Sequence, residues 1–198
     1  MGWRRKSLRP EELYGDARDY FALVKPSSGM RRAQFRLTRE LVGLMGIEPP
    51  ARVVDLGCGW GFSMELLSGL GFEVVGVDIS SDMVGYCRAK GFQAIVGDFC
   101  RLDRLFPAKS FDHAVSVSSL QWVSKSAGRL RSLARSLKEV VRFRYGFQFY
   151  PYSEEELRLV ERIFSKYLSS AEVVFVARGT KKERIYVVGD VEGGFEGV

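Results

Sequence analysis

The chain has 198 residues, of which 46% are hydrophobic and 27% are charged, and its formal net charge is +6. This composition is typical of one globular domain. No run approaches the ~20 apolar residues of a membrane helix, and no apolar stretch follows the basic start as a signal peptide requires. One histidine excludes a multi-histidine metal site, and Cys58, Cys87 and Cys100 lack metal-ligand spacing. We expect a cytoplasmic protein in a reducing compartment, without a metal site.

Positive charge is concentrated in two parts of the chain. Residues 1–39 hold ten Lys or Arg against four Asp or Glu, and residues 125–144 hold seven against one. Such clusters favour an anionic partner, the alternative being a solvated surface. By contrast, the C-terminal residues are acidic and rich in glycine, and we expect residues 191–198 to form a flexible tail.

The first 50 residues predict a helical cap, and a core of alternating strands and helices follows over 51–190 within the same domain. The cap contains Tyr14, Tyr20, Phe21 and a basic helix around Arg31–Met45. Apolar runs predict these strands: Arg52–Leu56, Glu73–Asp78, Phe92–Gly97, Phe111–Ser116, Phe143–Tyr150, Glu172–Ala177 and Arg184–Val188. Helical spacing predicts these helices: Phe62–Leu70, Ser80–Lys90, Ser126–Val141 and a segment opened by a Ser153–Glu156 capping box.

This alternation predicts an α/β fold with a mostly parallel, Rossmann-like sheet. Parallel strands need helical crossovers, which place helices on both faces. The last two predicted strands have no helix between them, so the sheet is expected to end with an antiparallel strand.

The stretch VVDLGCGWG (53–61) predicts a ligand site. It places Gly57, Gly59 and Gly61 directly after a buried strand, although each glycine costs backbone entropy. Ligands of open parallel sheets bind at the carboxyl ends of the strands, where a glycine loop lets backbone N–H groups approach them. The alternative is a tight strand-to-helix turn.

Two acids at neighbouring strand ends strengthen the ligand interpretation. Asp78 ends the second strand, where a carboxylate can accept hydrogen bonds from both ribose hydroxyls, and Asp98 and Phe99 follow the third, where they can meet an adenine. An adenosine site suits a nicotinamide dinucleotide or S-adenosylmethionine. The dinucleotide fingerprint is G-x-G-x-x-G, and G-C-G-W-G lacks its last glycine, so S-adenosylmethionine is favoured.

The motifs DLGCGWG, GVDIS and GDF, with the closing hairpin, resemble the class I S-adenosylmethionine-dependent methyltransferases over residues 52–190. The resemblance implies a seven-stranded sheet whose last strand is antiparallel. It implies cofactor contacts for a set of strand-end residues: Gly57, Cys58, Gly59, Asp78, Ile79, Asp98, Phe99 and Ser116. Asp55 is expected to order the loop, and Trp60 stands where the class often has a small residue or threonine.

Three further stretches resemble the small-subunit ribosomal RNA (guanine-N7)-methyltransferases: RPEELYGDARDY (9–20), SVSSLQWV (116–123) and QFYPYSEEEL (148–157). The resemblance implies guanine methylation during ribosome biogenesis. The lysine-rich C-terminal extension of the eukaryotic members is missing, and the segment after Trp122 is shorter. Gln-Trp also recurs in methyltransferases of carrier-bound acyl groups. A small-molecule or acyl-carrier methyltransferase therefore stays open, as does a non-catalytic ribosome-assembly factor.

Guanine nitrogen-7 carries a lone pair and no proton, so its methylation needs positioning and no general base. We accordingly assign no catalytic base, and we expect His113, inside an apolar strand, to be structural. Gln121 can hydrogen-bond a base edge and Trp122 can stack on one. The alternative for Trp122 is packing beneath the helix that follows.

Two arginine-rich stripes are candidates for contacts with RNA phosphates. Helical spacing places basic residues on one stripe of the helix 129–142, beside an apolar stripe. The N-terminal helix repeats the pattern, and the alternative for each stripe is solvated surface. The two sets are Arg131, Arg135, Lys138 and Arg142, and Arg32, Arg36 and Arg39.

The third strand of the class topology is a sheet edge, and here it reads FQAIVG (92–97), with no charge. Uncharged edges are aggregation hazards unless covered, and strand addition by a partner would cover this one. The family resemblance implies a small zinc-binding methyltransferase activator subunit as that partner. The alternative is that the segment 100–110 folds over the edge.

Overall fold

The computed structural model describes residues 25–177 and 183–192. The motif at 9–20, which contains Tyr14 and Tyr20, and the following Phe21 lie outside them. The described helices are α1 Ser28–Met45, α2 Phe62–Gly69, α3 Ser81–Ala89, α4 Ala127–Val140 and α5 Glu154–Tyr167, with 3-10 helices at Phe99–Arg104 and Leu120–Trp122. The strands are β1 Arg52–Leu56, β2 Glu73–Asp78, β3 Gln93–Val96, β4 Phe111–Val117, β5 Val141–Phe149, β6 Glu172–Val176 and β7 Arg184–Asp190. None of these helices is both long enough and apolar enough to cross a membrane.

The seven strands form one sheet in the order β3-β2-β1-β4-β5-β7-β6. The pairs among β1–β5 are parallel, whereas β7 runs antiparallel to both β5 and β6. The predicted fold class is therefore confirmed. Strand order reverses between β1 and β4, which is where ligands bind in such sheets. We call the ends of β1–β5, with the loops that follow them, the carboxyl edge.

Each face of the sheet has its own hydrophobic core. On one face, α4 and α5 bury the apolar stripe that includes Leu130, Leu133 and Leu137, as predicted for α4. On the other face, α1, α2 and α3 bury a second cluster, which includes Leu41 of α1. The two basic stripes, on α1 and α4, therefore lie on opposite faces of the sheet.

The boundary between α4 and β5 corrects one prediction. Val141 has extended backbone angles and pairs with Phe111 of β4, so α4 ends at Val140 and β5 begins two residues earlier than predicted. Arg142 is consequently on β5 and not on the α4 stripe. Its guanidinium lies 3.3 Å from Asp112, near the start of β4 and far from the carboxyl edge. The stripe on α4 is therefore Arg131, Arg135 and Lys138.

The start of α5 is capped by one half of the predicted capping box. Ser153 Oγ accepts a hydrogen bond from the Glu156 N–H (3.2 Å). The Glu156 carboxylate does not accept a hydrogen bond from the Ser153 N–H, as a full capping box requires. It accepts instead from the Tyr152 N–H (2.7 Å) and from Ser124 Oγ. A distant loop thus replaces the expected local contact.

More residues after Val188 pack against the sheet than the sequence predicted. β7 continues to Asp190, and the buried Val191 donates its N–H to Phe143 O (2.7 Å). The Lys109 ammonium then contacts Glu192 (2.6 Å). The predicted flexible tail therefore begins with two residues that pack, and residues 193–198 lie outside the described part.

Candidate active site

The glycine loop between β1 and α2 requires glycine for two different reasons. Gly57, Gly59 and Gly61 all have positive φ, at 76°, 49° and 72°, where other residues are strained. A Cβ on Gly57 would lie 2.4 Å from Ser119 Oγ, so space is also lacking there. A Cβ on Gly59 would have its nearest neighbour 4.0 Å away. Gly59 thus presents backbone to open space at the carboxyl edge.

Asp78 is fixed at the end of β2 by two backbone donors. Its Oδ2 accepts from the Gly59 N–H (2.9 Å) and its Oδ1 from the Ser80 N–H (3.0 Å). Burial raises the pKa of this carboxyl, and these N–H groups partly offset that rise. Each oxygen keeps a second lone pair. The carboxylate is therefore an oriented pair of acceptors, which suits the adjacent hydroxyls of a ribose.

Asp55 is fully buried at the end of β1. Its Oδ2 accepts from Ser63 Oγ in α2, which orders the loop as predicted. Its Oδ1 has no partner within the described residues. Burial raises the pKa of Asp55 to about 7. A buried polar atom left unsatisfied marks a place that a ligand or water completes, and a carboxylate here fits the ammonium group of S-adenosylmethionine.

Residues after β3 reach the same part of the carboxyl edge. The Gly97 N–H donates to Asp78 O (2.9 Å), which brings Asp98 and the buried Phe99 beside the end of β2. Asp98 Oδ1 accepts from the Cys100 N–H and from Arg129 Nη2, both at 2.9 Å. The Arg129 contact was not predicted. Ile79, which follows Asp78, is exposed at this edge.

The side chains of Cys58 and Ser116 point into the protein. Ser116 Oγ donates to Leu56 O (2.7 Å). The Cys58 side chain packs closely against Gly76, since a Cβ on that glycine would lie 2.8 Å from the Cys58 Sγ. The neighbouring Cys87 and burial raise the pKa of the Cys58 thiol. Cofactor contact at these two positions stays a prediction, and it would have to use the backbone.

The loop after β4 closes against the glycine loop. Ser118 has a φ of 62°, unusual for serine, and its N–H donates to Gln148 O (2.8 Å) on β5. Ser119 Oγ donates to Gly57 O (3.0 Å). Sequence reasoning missed both roles, because nothing in the motif SVSSLQWV marks one serine as left-handed.

Gln121 and Trp122 follow in the same loop. Gln121 is 8% exposed; its Nε2 donates to Ser118 O, and its Oε1 has no partner among the described residues. Trp122 is half-buried and packs against the core beneath α4, so part of its ring is in contact with the core. Its stacking role, like the base contact of Gln121, stays a prediction.

Trp60 joins the glycine loop to α1. Its ring is buried and meets Tyr86 of α3 edge to face, at 4.9 Å between ring centroids. Phe62 and Met83 complete this cluster, against which Met30 and Phe35 of α1 pack. The large side chain at this position therefore anchors α1 beside the site.

His113 lies away from the carboxyl edge. It pairs with Val53 near the start of β1 and with Arg144 near the start of β5. Burial lowers its pKa, so the ring is neutral near pH 7. This placement agrees with the structural role expected for it.

The comparisons with known proteins agree with this geometry. Residues 54–143 match the family model described as a methyltransferase domain. An 18S rRNA (guanine-N7)-methyltransferase from Bos taurus is 33% identical over 172 residues, which cover 79% of this chain and 60% of the relative. A demethylmenaquinone methyltransferase from Tropheryma whipplei is 37% identical over 97 residues, covering 48% of this chain and 41% of the relative. The matched parts thus span 60% and 41% of these relatives, less than two thirds of each.

A solved structure supports the fold. A methyltransferase from Haloferax volcanii, in complex with the Trm112 methyltransferase activator, aligns with a TM-score of 0.70 at 18% identity, over 92% of this chain and all of that chain (100%). The similarity concerns the fold alone. The family match shows that the chain carries a methyltransferase domain, its sheet has the fold of the class I S-adenosylmethionine-dependent methyltransferases, and its sequence resembles the 18S rRNA (guanine-N7)-methyltransferases.

Proposed function

We propose that the chain transfers the methyl group of S-adenosylmethionine to nitrogen-7 of a guanine in small-subunit ribosomal RNA. The observation that carries the proposal is the similarity to the cattle rRNA enzyme, which extends over 79% of the chain. The bound cofactor would supply an electrophilic methyl group on its sulfonium. The residues of the chain bind and orient the two reactants.

The cofactor half of the site consists of the carboxyl ends of β1, β2 and β3. Asp78 would hold the ribose hydroxyls, since Gly59 and Ser80 fix both of its oxygens. Asp55 Oδ1 would accept from the ammonium group, and Gly57 and Gly59 would bring backbone close to the methionine part. Ile79, Asp98 and Phe99 would surround the adenine.

The base would be held by Gln121. Since its Nε2 is committed to Ser118 O, its free group is the acceptor Oε1. Guanine presents two neighbouring donors on its Watson–Crick edge, N1–H and the 2-amine, whereas adenine presents one donor there, the 6-amine, beside the acceptor N1. An acceptor at this position can therefore bind either of two adjacent guanine donors. No proton leaves nitrogen-7, so the reaction needs alignment and exclusion of water.

Transfer of labelled methyl from S-adenosylmethionine tests the proposal. Purified chain is given undermethylated small ribosomal subunits or a metabolite extract, with and without an activator subunit. We expect label in the rRNA, at a single guanine whose nitrogen-7 is methylated. Gln121→Glu, which retains an acceptor, should keep more activity than Gln121→Met. Label confined to the metabolite fraction would overturn the proposal.

A small-molecule methyltransferase is the second candidate. The match to a demethylmenaquinone methyltransferase favours it, although that match covers 48% of the chain. On this alternative the basic stripes have no function, and RNA affinity would be weak and insensitive to salt. An assembly factor without catalysis would instead keep its cellular function in an Asp78→Ala variant that no longer binds cofactor.

We also propose that β3 accepts a strand from a small zinc-binding activator subunit. β3 is an edge strand without charged residues, and Val96 is 44% exposed. The 3-10 helix Phe99–Arg104 packs against α4, which leaves Val96 accessible. The Haloferax structure, of a methyltransferase with its activator, has the same fold.

Co-purification tests this docking site. Val96→Lys places a charge on the β3 edge and should abolish co-purification with a Trm112-type activator. Phe175→Lys is the matched control, since Phe175 is 38% exposed on β6, the opposite edge. Retained binding by the Val96 variant, or equal loss in both variants, would contradict docking at β3.

A further inference from the structure

A groove lies between α1 and β6, outside the site described above. It has a volume of about 630 Å³, and its lining combines three arginines with an apolar floor. The arginines are Arg32, Arg36 and Arg39, all exposed, and the apolar residues are Phe35, Leu44 and Val176. We propose that this groove binds a single-stranded segment of RNA that leads to the carboxyl edge. The inference rests on the proposed function and names where its substrate lies.

The charge of the groove favours a polyanion. Glu40 is the acid in its lining, and its carboxylate is held by Arg184 at 2.7 Å and by the Tyr186 hydroxyl at 2.6 Å. This ion pair is mostly shielded from solvent, so Glu40 is neutralised from within the protein. None of the three groove arginines forms an ion pair with another described residue. The groove therefore presents about three uncompensated positive charges.

The spacing of the arginines suits successive phosphates of one strand. Arg32 and Arg36 are one helical turn apart, about 6 Å along the axis, and Arg39 continues the row. The apolar floor distinguishes a single strand from a duplex. Arg31 lies over the ring of Phe35, 4.2 Å from its centroid, so unpaired bases can pack on Leu44, Val176 and the part of Phe35 that lines the groove. A duplex would present only its backbone.

One residue of the groove lining, Phe35, also reaches the cofactor loop. Phe35 packs against the cluster that contains Trp60, next to Gly59 and Gly61. Arg31, which neighbours Arg32, bonds to Glu65 in the first turn of α2. A strand lying along α1 therefore ends beside the methyl-transfer site.

The comparable groove beside α4 lacks these properties. It is also about 650 Å³, but its lining includes Asp103 and Glu139 as well as Arg131 and Arg135, so its charges cancel. Arg135 lies over the ring of Tyr167, at 5.3 Å. This groove is on the opposite face of the sheet. The structure thus assigns the RNA path to α1 and not to the stripe on α4.

Fluorescence anisotropy with a labelled single-stranded RNA oligonucleotide tests the assignment. The test variant is R32A/R36A/R39A. The charge-matched control is R158A/R162A/K166A on the exposed face of α5, and R131A/R135A/K138A forms a third arm. We expect the α1 variant to lose at least tenfold in affinity, with the other two within threefold of wild type. Each phosphate contact contributes about 0.7 to the salt slope for single strands, so the slope should fall by about 2.

Three outcomes would overturn the assignment: no oligonucleotide binding by wild type, unchanged binding by the α1 variant, or equal losses in all variants. Thermal melting of every variant checks that the exposed substitutions leave the fold intact. Methyl transfer to ribosomal subunits by wild type tests the proposed function independently of the groove. Transfer that persists in the α1 variant, with RNA affinity unchanged, would contradict the groove and leave the proposed function standing.

Discussion

The cofactor half and the base half of the carboxyl edge are built differently. In the cofactor half, Asp78 is held by backbone N–H groups of Gly59 and Ser80, within 19 and 2 residues of it along the chain. In the base half, Gln121 lies in a loop that is held by Glu156, 32 residues from its partner Ser124. The Asp78 carboxylate is thus held by contacts that span 19 residues or fewer, whereas the loop of Gln121 depends on a contact that spans 32.

This difference has a functional meaning. A site made of strand ends and short turns can stay the same while the attached loops change, which is how one fold serves many substrates. We expect substitutions in the cofactor half to affect cofactor affinity, and substitutions in the base half to affect transfer alone. Three of the four predictions below test that separation, and the prediction for Asp55 tests the electrostatics of the cofactor half.

Loss of the Asp78 carboxylate should have the largest effect. Each of its charge-assisted bonds to a ribose hydroxyl is worth roughly 1.5–3 kcal/mol, so Asp78→Ala should weaken cofactor binding by about 100-fold or more. Isothermal titration calorimetry with S-adenosylmethionine measures this. Asp82→Ala, in the exposed first turn of α3, is the control and should bind normally. Equal affinities for the two variants would remove Asp78 from the site.

Asp55 should make the stability of the cofactor half depend on pH. Its folded-state pKa is about 7, against ~3.9 for an unfolded aspartate, so the folded state holds the proton more tightly. The resulting stabilisation is complete below pH ~4 and is lost as pH rises through 7, by up to ~4 kcal/mol. Melting curves of the cofactor-free chain and of Asp55→Asn should therefore diverge over this range. A constant difference between the two would show that Asp55 titrates normally.

Gly59→Ala should have the next largest effect on cofactor affinity after Asp78→Ala. A side chain at its positive φ costs roughly 1–2 kcal/mol, and the new Cβ would occupy the space open to the cofactor. We expect a 10- to 100-fold loss of cofactor affinity by calorimetry. Gly85→Ala in α3 is the matched control, since a Cβ there meets nothing within 4 Å. Normal binding by the Gly59 variant would mean that the loop does not approach the cofactor.

Glu156→Gln should have the smallest effect, and it tests the other half. Loss of the Glu156 charge should weaken the hydrogen bonds that its carboxylate accepts from Ser124 and from the Tyr152 N–H. A hydrogen bond to a charged group is worth about 1.5–3 kcal/mol. Methyl transfer to RNA should fall about tenfold while the cofactor Kd stays within twofold. Glu155→Gln, at an exposed neighbouring position, is the control. A parallel fall in cofactor affinity would show that the two halves are not independent.

The sequence was informative where structure depends on local pattern. The bounds of β1 and β2 agree with the apolar runs that predicted them, and the three glycines that the motif singled out all have positive φ. The mostly parallel sheet, its antiparallel last strand and the edge position of the third strand followed from strand and helix alternation together with the family resemblance. These features are encoded within a few residues of where they occur.

Features that depend on tertiary pairing escaped prediction. Arg142 was placed on a helix because the apolar spacing continues through Val141, but pairing of Val141 with Phe111 makes that segment a strand. The Arg129–Asp98 ion pair joins residues 31 positions apart, and no sequence pattern near Asp98 predicts it. Trp60 could be noticed as an unusual residue, yet its role required the position of α1.

A crystal structure of the chain grown with S-adenosylhomocysteine tests the central claim most directly. We expect the nucleoside at the carboxyl ends of β1–β3, with both ribose hydroxyls on the Asp78 carboxylate and the amino group near Asp55. A nucleoside bound elsewhere, or a cleft that stays empty at saturating ligand, would contradict the account.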